Sequence, residues 1–172
     1  MQPQSCTSSI LRRRPAVRVD RGSVHVEYAI DVAAPQQQVF TAVVDWDNQG
    51  DWMLGTKVSA TSAGEIGELG RGLGATIAAF TGVGSIGFLD TMTITNWDEP
   101  HRVDVLHTGR IVKGTGTMLV ERIDDQTARF VWSEDLELPL GAIGRLGWPI
   151  VRPLFGRGIE LSLRRFAKFA AR

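Results

Sequence analysis

From Ser23 to Val32 the chain alternates: Val24, Val26, Tyr28, Ile30 and Val32 share one parity, and His25, Glu27 and Asp31 fall on the other. Successive side chains of a strand point to opposite faces, so this pattern specifies a strand with one face buried and one in water. It constrains the fold more than any other stretch, because such a strand needs partner strands and a second layer to cover its apolar face. Pro35 ends it. Val39, Phe40 and Val43 then recur at helical spacing, with Pro35 suited to the first helical turn, and the turn formers of Asp45 to Trp52 (DWDNQGDW) close the helix.

Gly64 to Gly87 holds eight glycines, which implies short, curved strands with close backbone approach; Leu73 to Phe80 is the clearest of them. Phe88 to Trp97 is rich in threonine and alternates, Asp98-Glu99-Pro100-His101 is a turn, and Arg102 to Thr108 returns as the second arm of a hairpin. Thr115 to Ile123 and Ala128 to Leu138 form another pair, joined by Asp124-Asp125-Gln126-Thr127. After Gly141 the period changes. Ile159, Leu163, Phe166 and Ala170 share one helical face, and Arg164, Arg165, Lys168 and Arg172 gather opposite. The spacing extends back through Ile143, Leu146, Ile150 and Leu154, with Pro149 and Pro153 expected to kink or interrupt the helix. A strand, short helices, six strands and a long terminal helix make an α+β domain. That helix can bury its apolar stripe only against the concave face of a curved sheet, and the space between them is where a ligand would sit.

At 172 residues the chain has the size of one domain. Its 19 basic and 19 acidic residues balance, so net charge supports no nucleic-acid binding. Residues 1–22 hold five arginines and are expected to form a disordered basic arm, leaving 23–172 as a single folded domain. Cys6 is the only cysteine, the arm lacks the apolar core of a signal peptide, and no run of about 18 apolar residues occurs, so a cytoplasmic protein without a membrane span is expected.

The strand, the Ala34-Pro35 step, the Val39-Phe40 helix and the Asp45 to Trp52 turn with its spaced tryptophans together resemble the opening of the START-like (SRPBCC) superfamily. That group includes polyketide cyclases, lipid-transfer domains and the Bet v 1 allergens. The resemblance covers about Ser23 to Arg172. It implies a helix-grip fold: a curved antiparallel sheet of about six to seven strands wrapped around a long C-terminal helix, with two short helices after the first strand. It also implies that the turn carrying Trp46 and Trp52 lies near a cavity mouth, where the two indoles act as lid or core.

Several local patterns carry little chemistry. Gly82-Val83-Gly84-Ser85-Ile86-Gly87 spells G-x-G-x-x-G, but a strand rather than a helix follows it, so a strand connection is expected instead of a nucleotide site. Asp45 to Asp51 begins like a calcium loop, yet Thr56 stands where a bidentate glutamate is needed. His25, His101 and His107 lack the spacing of a metal site, and no serine sits in a nucleophile elbow.

Parity is more informative. Asp90 shares the face of Phe88 and Met92, His107 that of Val103 and Val105, and Glu134 that of Phe130, Trp132 and Leu136. If those faces line the concave side, two acids and a histidine enter an apolar cavity. Desolvation would there raise the carboxyl pKa values and lower that of the histidine unless a partner such as Arg110 offsets it. Bulges or strand ends could instead turn any of them outward.

Asp90, His107 and Glu134 are thus the candidate catalytic residues, and Trp52, Phe88, Met92, Val105, Phe130, Trp132, Ile150 and Leu154 the candidate ligand contacts. The expected function is binding of a small hydrophobic ligand, such as a lipid, polyketide or quinone-like molecule, by a carrier or sensor. The resemblance implies two alternatives, an aromatase/cyclase using acid–base chemistry in the same cavity and a ribosome-associating protein. No metal or cofactor and no nucleic-acid partner is expected, and the basic C-terminal helix with Trp148 could touch an anionic membrane surface.

Overall fold

The computed structural model describes residues 16–19, 23–137 and 142–172, the last with side chains from residue 156 onward. Eight antiparallel strands form one sheet: β1 (Ala16–Val19), β2 (Ser23–Val32), β3 (Thr56–Ser62), β4 (Thr76–Val83), β5 (Ile86–Asp98), β6 (Arg102–His107), β7 (Gly114–Arg122) and β8 (Ala128–Glu137). Helix α1 (Gln36–Val43) and a 3-10 turn (Trp46–Asp51) follow β2, and α2 (Ala142–Ala170) ends the chain. The spatial order is β1-β2-β8-β7-β6-β5-β4-β3. The sheet is curved and unclosed, and it wraps the terminal helix in a helix-grip fold.

The alternation of β2 places Val24, Val26, Tyr28, Ile30 and Val32 in the core. β2 pairs along its whole length with β8, setting Tyr28 opposite Trp132 and Ile30 opposite Phe130. On α2, Ile159, Leu163, Phe166 and Ala170 are the buried stripe. The Phe166 ring packs between Trp52, at 4.9 Å, and Phe130, at 4.7 Å, so one helical side chain joins sheet, turn and helix. Helix α1 buries Val39, Phe40 and Val43. Its polar side ties the ends of the fold together: Gln38 donates to the Ala170 carbonyl at 2.9 Å, and Gln36 to that of Val120 at 2.7 Å. The last carbonyls of a helix have no partner within it, so Gln38 supplies one to α2.

Four features differ from expectation. Residues 16–19, placed above in a disordered arm, form edge strand β1 on β2, with Val17 against the core. A short alternating run beside a long exposed strand edge satisfies backbone groups that would otherwise face water. The strand count is eight, above the expected six to seven; neither β1 nor β3 is among the runs picked out by alternation, and β3 (TKVSATS) is built mostly of small and polar residues that carry little periodic signal. The strand expected at Leu73 to Phe80 runs instead from Thr76 to Val83. Four left-handed glycines at 67, 70, 72 and 74 keep the preceding loop irregular, and at Gly70 a Cβ would meet the Trp46 ring at 2.7 Å. Of the kink or interruption expected at Pro149 and Pro153, the interruption is absent: helix α2 spans both as one element. The prolines stand four residues apart, so the two missing donors lie on one side and the rest of the ladder continues. As expected, Gly82 to Gly87 is a strand connection, the turn of the β4–β5 hairpin.

Candidate functional site

A cavity of about 320 Å³ lies between the sheet and α2. Trp52, Phe88, Met92, Val105, Phe130 and Trp132 all stand on its wall; Ile150 and Leu154 lie outside the described side chains. Trp46 and Trp52 are buried parts of that wall, the first donating from its indole to the Gly70 carbonyl at 2.7 Å. The wall also includes residues not singled out from sequence, among them Met118, Gly116 and Ser162. Ser162 interrupts the apolar stripe of α2. Its hydroxyl donates to the Gly158 carbonyl at 2.9 Å and accepts from the Leu54 amide at 3.0 Å, pinning the helix to the segment after the 3-10 turn.

Asp90, His107 and Glu134 all line the cavity, and both acids contact His107. His107 Nδ1 is 2.6 Å from Asp90 Oδ2, and its Nε2 is 2.9 Å from Glu134 Oε2. The register explains how three strands meet at one point. His107 faces Met92 across the β5–β6 pair, two residues from Asp90, so the imidazole reaches Asp90 diagonally. Glu134 is on β8, with β7 between it and β6. Neighbouring strands lie about 4.8 Å apart, so its side chain must pass over an intervening residue of β7. That residue is Gly116, paired with Val105 on one side and Glu134 on the other. A Cβ there would come within 2.8 and 2.9 Å of the two Glu134 oxygens and 3.0 Å of Val105. The missing side chain is the path by which Glu134 reaches the histidine.

The cluster is well buried, with Asp90 6% and His107 8% exposed. Burial by itself lowers the pKa of His107, but hydrogen bonds to Asp90 and Glu134, reinforced by their charges, outweigh it and raise the value to about 9. With its pKa raised to about 9 the ring is an imidazolium at neutral pH, and both ring nitrogens donate. The expected lowering is therefore reversed, and the partner of the acids is His107 itself; Arg110 is exposed. Glu134 Oε1 also accepts from the Trp132 indole at 2.7 Å. Asp90 Oδ1 has no hydrogen-bond partner and lies against Gly109, where a Cβ would approach it to 2.8 Å.

The other histidines are peripheral: His25 meets Asp135 at 2.8 Å and His101 meets Asp98 at 3.7 Å, on the surface. Among the described residues no group of three or more His, Cys, Asp or Glu side chains is arranged to hold a metal ion, and no helix is long and apolar enough to cross a membrane.

Solved structures share this architecture. The Zhui aromatase/cyclase from Streptomyces sp. R1128 is 19% identical, with a TM-score of 0.66 over 86% of this chain and 93% of its own. A START superfamily protein from Mycobacterium smegmatis is 13% identical, with a TM-score of 0.67 over 85% of this chain and 96% of its own. Norcoclaurine synthase from Thalictrum flavum is 15% identical, with a TM-score of 0.60 over 89% and 97%. At these identities the likeness establishes the fold alone. No match is found among curated proteins. The family model described as "Polyketide cyclase / dehydrase and lipid transport" matches residues 23–170, and the chain belongs to that family.

Proposed function

We propose that this protein encloses one small, mostly apolar molecule between the sheet and α2 and carries or senses it in the cytoplasm. The observation that carries the reading is a cavity of about 320 Å³ with a mainly apolar and aromatic wall and, among the described residues, a single charged cluster. Ligand sites commonly combine such a wall with a few converging polar groups, whereas unfilled space in a core costs stability. Membership in a family that includes lipid transport agrees with it. Native mass spectrometry of protein purified from its source should show a bound adduct that organic solvent releases. An apolar dye should also perturb the fluorescence of Trp52 and Trp132 on the wall; a protein that takes up neither is no container.

The Asp90–His107–Glu134 chain favours a second reading, a cyclase-type enzyme without metal. Glu134, the least buried of the three, would take a proton from a carbon beside a carbonyl, with the imidazolium at its flank holding it in place. His107 itself has both nitrogens engaged and is no base in this state. Glu134→Gln should then abolish turnover of a polyketide-like substrate while leaving its affinity within a few fold. A carrier has no turnover to lose.

A further inference from the structure

The charged cluster in the cavity has the wrong sign for an apolar cargo with a carboxylate head. Among the described residues the cluster sets two acids, Asp90 and Glu134, against the single histidine between them, so acidic groups outnumber basic ones on the wall. Among the described residues no lysine or arginine lines the cavity. A carboxylate placed there would meet a like charge with its water removed, where Coulomb repulsion is far larger than in solution.

Among the described residues, the other polar side chains of the wall have hydrogen-bond partners, with the Trp52 indole the exception. Gln49 donates to the Val43 carbonyl, Ser162 is engaged on both sides, and the Thr56 and Thr81 hydroxyls bond each other at 3.0 Å. The Trp46 and Trp132 indoles donate to Gly70 and Glu134. Trp52 Nε1 is a buried donor without a partner, packed edge-on to Phe166, and it is uncharged. Each carboxylate oxygen offers two lone pairs. The Glu134 oxygens use one each, Asp90 Oδ2 uses one, and Asp90 Oδ1 uses none. Apart from that one neutral indole donor, what the site has to spare is acceptor capacity on the oxygens of its two acids.

We infer that the cavity selects an apolar molecule whose polar group is a hydrogen-bond donor, a phenolic or enolic hydroxyl or a protonated amine, and rejects carboxylates. This rests on the container reading above. Glu134 is the contact: it reaches into the cavity over Gly116 and is held in place by His107 and Trp132. The same cluster would serve a purely structural purpose if it only clamped β5, β6 and β8 together, and binding selectivity separates the two roles.

Four probes of one shape decide it: naphthalene, naphthol, naphthylmethylammonium and naphthoate, titrated into the intact protein by calorimetry at neutral pH and moderate salt. The expected order places naphthol, the ammonium or both at least about tenfold tighter than naphthoate, with naphthalene between. Whichever donor leads identifies the hydroxyl or the amine as the head group. Glu134→Gln, which removes one negative charge and adds an amide donor, should shrink the gap between ammonium and carboxylate to a few fold. Naphthoate binding as tightly as the donors to the unmodified protein would overturn the inference and leave the container standing. If none of the four binds, the container reading itself fails.

Discussion

Two parts of the same cavity wall are built on opposite principles. Where β2 and β8 face α2, the wall is held by interlocked rings, Phe166 between Trp52 and Phe130, over a row of fully buried valines. Where β5, β6 and β8 converge, it is held by three ionisable groups, Asp90 and His107 buried and Glu134 partly so, and the absence of one side chain at Gly116. The first arrangement gains stability from apolar burial at little cost. The second removes charges from water and recovers that cost only through accurate contacts, so an apolar replacement of similar volume would often be at least as stable. A charged cluster on one side of an otherwise apolar cavity wall is therefore weak evidence of added stability.

The largest change should come from the ring side. Phe166→Ala removes both ring contacts at the centre of the core and is expected to cost about 3–5 kcal/mol in urea unfolding. A loss under about 1 kcal/mol would mean the seam is not where stability resides. On the charged side, His107→Leu leaves two carboxylates buried without their cation and should cost about 3 kcal/mol or more at neutral pH. Converting Asp90 to Asn and Glu134 to Gln in the same chain should restore most of it, because the penalty belongs to the unpaired charges; failure to recover would assign the loss to shape instead.

Acidity should divide the two regions more finely. The folded pKa of His107, about 9, lies above its ordinary 6.5, so the folded state holds this proton more tightly. The linked stability is fully present below about pH 6.5 and is lost as pH rises through about 9, on the order of a few kcal/mol in all. Only Asp90 and Glu134 contribute to raising that value, so the decline should be absent from the variant lacking all three groups and present in Phe166→Ala. Equal slopes in the two would remove His107 as the source. The smallest expected effect is that of Gly116→Ala. Its Cβ crowds Glu134 and should cost about 1–3 kcal/mol while lowering the His107 pKa measured by NMR titration. An unchanged histidine titration would show that Glu134 reaches His107 by another path.

The ring side is the more legible in sequence. The alternation of β2, the spacing of Val39, Phe40 and Val43, the two hairpins and the apolar stripe of α2 each declare an element and the face it buries. Parity also turns Asp90, His107 and Glu134 inward one at a time. It does not show that they touch, because their meeting depends on the register of four strands and on Gly116, a glycine whose role exists only once β6, β7 and β8 are side by side. The sign of the His107 shift was hidden for the same reason: burial is readable from a strand pattern, whereas a carboxylate on each ring nitrogen is not. β1 and β3 escape because four residues, or seven small and polar ones, give too little periodicity to separate a strand from a loop.

The pairing of β2 with β8 sets the order of events when the chain first folds. Asp31 and Arg129, ion-paired across these strands, are 98 positions apart. The earliest strand of the core must wait, its valines uncovered, until nearly the whole chain has left the ribosome. Ordering so long an intervening loop makes the closing step slow, in the millisecond-to-second range common to sheets joined by distant contacts. During that interval the unpaired β2 edge is open to chaperone capture or to aggregation, and the cavity between sheet and helix cannot close before it is paired.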